Sequence, residues 1–283
     1  MNIYCIIPTY NEEAFISLTL ESIVTQTYLP KKVVIVNDNS TDGTQNIIDS
    51  FSEKHPWITS VYNASENKHL PGSKVIRAFQ KGFDSIDNQF DIIIKLDADL
   101  ILPTNYLERI VEVFQSNPHI GMVGGFAYIE KNGDWILENL TDKDHIRGAF
   151  KAYRKECFIE IGGLKPAMGW DTVDELLCRF YNWQIITLPE LKVKHLKPTG
   201  ATYDATARYK QGEAFYTLGY GFTITAIAAL KLAIRKGKPL LFIDYVKGFY
   251  KAKNANKPLL VTPQQAKFIR AYRWKKMKQK LSS

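Results

Sequence analysis

Short β-branched runs that end in polar loops constrain this chain more than any other feature. Ile3, Ile6 and Ile7 belong to the first run, Val33, Val34, Ile35 and Val36 to the second, and Ile92, Ile93 and Ile94 to a later one. A continuous apolar run of that length fits a strand buried on both faces. Between the runs the pattern turns helical. Ala14, Leu18, Leu20, Ile23 and Val24 recur at roughly helical spacing, residues 44–51 read as a helix with Thr41 or Asp42 as its cap, residues 58–62 as another strand and 72–83 as a helix. Strand alternating with helix implies parallel βαβ units, hence an α/β chain with a mainly parallel central sheet flanked by helices. The polar loops should gather at one edge of that sheet, bringing Thr9, Asn11, Glu12, Asp38, Asp97 and Asp99 into one cleft.

The run at Ile92 ends in Asp97-Ala98-Asp99. Residues two apart on an extended segment point the same way, and two carboxylates facing one way repel unless a cation lies between them. Mg²⁺ or Mn²⁺ suits such oxygen ligands and commonly completes its shell with substrate phosphates. The other reading of the triplet is a solvated turn after a strand.

Further on, residues 103–116 read as an amphipathic helix and 121–128 as a strand, with Gly124-Gly125 allowing close backbone approach. Asn132-Gly133 signals a turn. A helix follows Trp170, with Asp171 or Thr172 as its cap, and residues 183–188 and 191–195 read as two strands around Pro189. From about Thr206 the character changes, so the expected domains are 1–205 and a helical, basic extension, 206–283. Residues 215–234 have about the length of a membrane span, but Tyr216, Thr217, Thr223, Thr225 and Lys231 favour an interfacial or packed helix. Residues 244–252 and 264–280 are further helices.

The net charge of +8 is unevenly placed: from Lys231 onward there are fifteen Lys or Arg against one acid, Asp244, giving +14, while the remainder carries −6. Such an end suits an anionic partner surface, whether membrane, nucleic acid or acidic polymer. Cys5, Cys157 and Cys178 are far apart, odd in number and without metal spacing, as expected of buried thiols in a reducing compartment. Met1-Asn2-Ile3 leads directly into the first strand, so no signal peptide is expected and the location expected is cytoplasmic, peripheral at the inner face of the cell membrane.

Three pieces in order, Ile6-Ile7-Pro8-Thr9-Tyr10-Asn11-Glu12, Val34-Ile35-Val36-Asn37-Asp38-Asn39-Ser40-Thr41-Asp42-Gly43-Thr44 and the Asp97-Ala98-Asp99 strand, resemble the family 2 inverting glycosyltransferases with the GT-A fold, a Rossmann-like α/β architecture. The resemblance covers roughly residues 1–200. It implies that Pro8, Thr9, Tyr10 and Glu12 line a nucleotide pocket and that Asp38 accepts a hydrogen bond from the base imide, favouring a UDP-type donor. It implies that Asp99 ligates Mn²⁺ or Mg²⁺ on the donor diphosphate, with Asp97 nearer the ribose or donor sugar, and that His195 completes the metal shell. Asn39 stands where the family often has Gly, and Asn tolerates the left-handed conformation. The family's third element appears loosely as Asn67, Gly72 and Arg77-Ala78; Lys74 or Arg77 could reach a phosphate or lie on a solvated helix face. For the base that takes the acceptor proton the choice is Asp174, with Asp171 and Glu175 second, ahead of Arg179; each also suits a capping role. Trp135 and Trp170 either stack against an acceptor sugar or belong to the core.

The function so implied is metal-dependent, inverting transfer of a sugar from a nucleotide-diphosphate donor to the hydroxyl of a glycan or lipid-linked acceptor, in surface polysaccharide or glycolipid synthesis, with an anionic membrane surface met through the C-terminal extension. Two alternatives are a nucleic-acid-binding protein using the basic tail, which the acidic body disfavours, and a non-catalytic nucleotide-sugar-binding module on the same fold. A nucleotidyltransferase would carry a Gly-rich basic loop after the first strand, and Pro8-Thr9-Tyr10-Asn11-Glu12 is not one.

Overall fold

The β-branched runs lie side by side. The computed structural model describes residues 1–65, 72–138, 144–197 and 209–281. In it β1 (Ile3–Thr9) pairs in parallel with β2 (Lys32–Asn37) on one side and β4 (Ile92–Leu96) on the other, and β3 (Ile58–Tyr62) extends the sheet beyond β2, also in parallel. Ile3, Ile6, Ile7, Val33, Ile35, Val36, Ile92, Ile93 and Ile94 are fully buried, as strands covered on both faces require. The crossovers are α1 (Ile16–Val24), α2 (Thr44–Lys54) and α3 (Ser73–Phe83), and α3 packs its Ile76 and Phe79 side against β1 and β2.

The sheet then changes direction. β8 (Phe150–Arg154) inserts antiparallel between β4 and β6 (Ile120–Lys131), β9 (Gln184–His195) runs parallel to β6, and the two-residue β5 (Leu100–Ile101) pairs antiparallel with the end of β9. β7 (Asp134–Leu137) folds back on β6 through the Asn132-Gly133 turn, both residues at positive φ. The strand order is β3-β2-β1-β4-β8-β6-β9-β5, with α4 (Tyr106–Ser116) and α5 (Lys155–Glu160) completing this part.

Two expected strands around Pro189 are one. β6 and β9 shift register from Gly124 opposite Thr187 to Phe126 opposite Lys192, so the residues around Pro189 bulge while the strand continues; a bulge is where a missing N–H is tolerated. The backbones approach closely here: a Cβ at Gly125 would lie 2.3 Å from the Leu191 carbonyl oxygen.

The chain divides into two compact units, Met1–Pro166 with Tyr181–Thr199, and Ala167–Phe180 with Gly200–Ser283. The expected division at 205 and 206 lies outside the described residues, and α6 (Trp170–Phe180) groups with the second unit. There it is joined by α7 (Lys210–Thr217), α8 (Gly221–Arg235), α9 (Leu241–Asn254) and α10 (Pro263–Leu281). The apolar stretch 215–234 is therefore not one helix. Gly219 and Gly221, at φ +73 and +72, end α7 and begin α8 in a conformation that L side chains avoid. Among the described residues, no helix is long and apolar enough to cross a membrane. α7 packs on α9 through Tyr216 against Phe249, and α10 on α6 through Phe268 against Phe180.

The crowding at Gly125 predicts that Gly125→Ala destabilises the fold by about 1–3 kcal/mol, read as a lower urea midpoint at unchanged slope.

Candidate donor and metal site

The loops after β1 and β2 are stitched into one wall. Asn11 and Asn39 take left-handed backbone, φ 52 and 63, so Asn39 does adopt the conformation that glycine would. The Asn11 N–H donates to Ser40 Oγ (3.0 Å), the Thr41 N–H to Asn11 Oδ1 (2.8 Å), and the Glu12 N–H to Thr44 Oγ1 (2.9 Å). Thr9 sits inside β1, its hydroxyl turned back to the Ile7 carbonyl at 3.1 Å, and its own carbonyl accepts the Asp38 N–H at 2.8 Å. Pro8 lies beside Val36 in the same ladder. Thr9 thus fixes the backbone from which Asp38 projects.

Asp38 is buried and accepts from Asn63 Nδ2 at 2.7 Å and Ser65 Oγ at 2.9 Å. Lys74 approaches it at 3.8 Å and stands 4.5 Å from the centre of the Tyr10 ring. Tyr10, Asp38 and Lys74 therefore converge on one place: an aromatic face, an acceptor and a cation. Arg77 is exposed on α3, and Gly72 turns into that helix at φ 73; Asn67 lies outside the described residues.

The second cluster is Asp97, Asp99 and His195, whose ligating atoms all lie within 4.8 Å of one another. β5 brings it together: Leu100 stands opposite His195 in the ladder, and the Leu196 N–H donates to the Asp99 carbonyl at 2.9 Å. Thr19 of α1 holds the other side, its hydroxyl donating to the Ala98 carbonyl at 2.8 Å and accepting from the Leu100 N–H at 3.0 Å. His195 faces Asp99 through Nε2 and Glu138 through Nδ1, each at 3.5 Å, and Arg147 meets Glu138 at 3.2 Å. Burial works against the charged imidazole, but Asp99 and Glu138 outweigh it and push His195 up to about 9. Asp97 takes the ammonium of buried Lys95 as partner. Glu12 pairs with Lys197 at 2.5 Å. Burial raises the Glu12 carboxyl above its usual range, the charges of Asp99 and Asp97 add to that, and Lys197 opposes it.

Two carboxylates and an imidazole at this spacing could hold a divalent ion. Glu138 behind His195 supplies the carboxylate that fixes which ring nitrogen faces such an ion.

The glycosyl transferase family 2 profile matches residues 4–166, more than half of the chain. The chain belongs to glycosyl transferase family 2. Poly-beta-1,6-N-acetyl-D-glucosamine synthase of Staphylococcus epidermidis is 27% identical over 182 residues, 58% of this chain and 40% of that protein. Among solved structures, a mannosyltransferase from Pyrobaculum calidifontis in complex with GDP-Man and Mn²⁺ has a TM-score of 0.59 at 17% identity, over 95% of this chain and 78% of that one. TarS from S. aureus in complex with UDP-GlcNAc has a TM-score of 0.58 at 19% identity, over 81% and 67%. These likenesses are of fold, the GT-A fold. The chain spans 36% to 46% of the length of the curated relatives it matches first.

The family 2 resemblance also pointed to Asp171, Asp174 and Glu175, which lie on α6 in the second unit. The helix begins at Trp170, so Asp171 and Thr172 sit within its first turn rather than ahead of it. Asp174 and Glu175 are buried, and Asp174 Oδ1 accepts the Glu175 N–H at 2.6 Å. Trp170 is buried, and Trp135 lies on β7 with Lys194 4.9 Å from its ring centre.

Sequence reasoning missed Lys95, Lys197 and Glu138. Lys95 was visible as a lysine inside an apolar strand, and Lys197 as the residue two beyond His195. Glu138 had no local signal, because its partner is made by the β6–β9 pairing. Glu138→Gln is expected to weaken Mn²⁺ binding by about tenfold or more, measured by titration calorimetry, with the melting temperature of the metal-free variant recorded alongside.

Proposed function

We propose that this family 2 chain is a metal-dependent, inverting glycosyltransferase that moves a sugar from a nucleotide-diphosphate donor, UDP-type favoured, to the hydroxyl of a glycan or lipid-linked acceptor. The observation that supports the reading best is the gathering of two clusters at the C-terminal edge of one sheet. Tyr10, Asp38 and Lys74 suit a pyrimidine nucleotide, and Asp97, Asp99 and His195 suit a divalent ion. Solved neighbours of the same fold are in complex with UDP-GlcNAc, and with GDP-Man and Mn²⁺. The similarity to a poly-N-acetylglucosamine synthase favours a role in polysaccharide synthesis, and the location proposed with it is the inner face of the cell membrane.

In this reading Asp38 accepts the base imide N–H, Tyr10 lies against the base or ribose, and Lys74 reaches a donor phosphate. Thr9 and Pro8 hold Asp38 in register, and Glu12, paired with Lys197, lines the nucleotide pocket with them. Asp99 and His195, with Asp97 as the weaker third, hold the ion, which when bound supplies charge stabilisation to the leaving diphosphate. Inversion is a single displacement, so a carboxylate must take the acceptor proton from the face opposite the leaving group. That role is assigned to Asp174, ahead of Asp171 and Glu175, on the family resemblance. The division of the chain into a donor-binding domain and a basic helical extension is part of the same proposal.

A panel of sugar nucleotides with Mn²⁺, scored by binding and by hydrolysis, tests the reading. A response to UDP-sugars that chelation abolishes is expected. No response from any donor sinks it, and binding without turnover would leave a non-catalytic module. Within the active panel, Asp174→Asn should lower turnover by roughly 10²–10⁴-fold with donor affinity unchanged; turnover near that of the parent removes Asp174 as the base.

A further inference from the structure

One helix hairpin of the second unit leaves a row of large apolar side chains exposed. α8 buries Ile224, Thr225, Ala229 and Ala233, so three of its four buried residues are small. The opposite face carries Ile227, Leu230 and Ile234, at i, i+3 and i+7, and these are exposed, Ile234 at 68%. An ordinary surface helix keeps its large apolar residues inward and presents polar ones outward. α9 packs Tyr245, Phe249 and Ala252 inward, yet it too leaves apolar residues exposed, Ile243 and Tyr250. The two helices contact each other, Phe222 of α8 lying against Phe249 and Tyr250 of α9. Between them residues 236–240 form a short turn, at whose end Leu240 is 73% exposed. The hairpin tip is thus two bare aliphatics, Ile234 and Leu240.

Cations frame these residues. Lys231 and Arg235 flank the apolar face of α8, Lys238 stands in the turn, and Lys247 lies one turn beyond Ile243 on the exposed side of α9. The only acids in residues 209–281 are Glu213, which Lys257 pairs at 2.6 Å, and Asp244, which is not exposed. Helices of 15 and 14 residues are too short to span a bilayer core. An exposed apolar ridge with Lys and Arg around it, on helices of that length, matches a segment that lies in the headgroup region and takes anionic lipid.

We propose that the α8–α9 hairpin docks the chain on an anionic bilayer, with Ile234 and Leu240 entering the boundary between headgroups and acyl chains. This gives the membrane partner of the function proposed above a place on the chain, and it rests on that reading for the lipid side of the acceptor. The charge complement selects phospholipid with a net negative headgroup over neutral lipid, and the apolar tip distinguishes insertion from mere electrostatic adsorption.

The test uses the full chain and sedimentation with vesicles of phosphatidylcholine alone or mixed with phosphatidylglycerol, at low and high salt. The parent protein is expected to pellet with the mixed vesicles, less so at high salt, and to stay in solution with phosphatidylcholine. The Ile234→Ser/Leu240→Ser protein should partition about tenfold less or weaker. The Lys231→Gln/Lys238→Gln/Lys247→Gln protein should lose its preference for phosphatidylglycerol. All these positions are exposed, and circular dichroism melting should match the parent. Failure of the parent to pellet with either vesicle, or equal partitioning of the Ile234/Leu240 variant, overturns the proposal. So does a vesicle-free dimer that this variant dissolves, which would assign the ridge to a second copy. Donor hydrolysis by the same proteins without vesicles is read separately: docking without turnover overturns the transfer reading alone, and turnover without docking overturns the docking alone.

Discussion

The pairing of two residues, Leu100 and Ile101, with the end of β9 is what makes a site of this sheet. Without it, Asp99 would be the second carboxylate of an open turn, and His195 would end a strand elsewhere. A two-residue strand has too few ladder hydrogen bonds to hold itself, so its neighbours supply the rest. Thr19 uses its hydroxyl twice, donating to Ala98 and accepting from Leu100, and Ser22 Oγ accepts the Leu102 N–H at 3.2 Å. Both side chains belong to α1, which follows the first loop. The helix that carries the chain away from the nucleotide wall therefore also fixes the acidic cluster. A buried main-chain group left unpaired costs about 1–3 kcal/mol, so these bonds hold the Asp99 backbone in one place.

The parallel half of the sheet could be read directly from the residues, because burial on both faces leaves a mark: unbroken Ile and Val, then a polar loop, then helical spacing. Asn39 was equally legible, since few residues accept a positive φ. The antiparallel half was legible in part: β6 and β9 showed as strands, while β5, β7 and β8 did not. β8 is short and carries Lys151, fully buried opposite Lys95, and a lysine in so short a strand hides its pattern. Pro189 marked a break that the β6–β9 bulge absorbs instead. The two glycines that divide 215–234 were visible, but their positive φ followed from packing within the second unit.

The candidate site divides in the same way. Asp38, Asp99 and His195 were accessible because each stands at a strand end in a recognisable order. Their supports were not, because chain topology pairs residues far apart. Thr19 meets Ala98 across 79 positions and Lys197 meets Glu12 across 185. Glu138 comes to His195 only because β6 and β9 run together. A spacing rule reads partners a few residues apart; these partners are chosen by the strand order.

Those supports also decide which acid is left for a cation. Four carboxylates stand in this region, and three have a full positive charge as partner: Lys95 for Asp97, Lys197 for Glu12 and Arg147 for Glu138. Among the ion pairs of the described residues, Asp99 is matched by an imidazole alone. An imidazole can carry its second proton at Nε2 or serve as a ligand through that nitrogen, not both. In the function proposed above, a metal at Nε2 would take the place of that proton, and the ion would then be the counterpart of the Asp99 charge. Glu138 faces Nδ1 at 3.5 Å, so in that reading the exchange of proton for metal would be confined to Nε2. In that reading the pairing of Asp97 with Lys95 makes the first acid of Asp97-Ala98-Asp99 the weaker ligand, because its charge already has a partner.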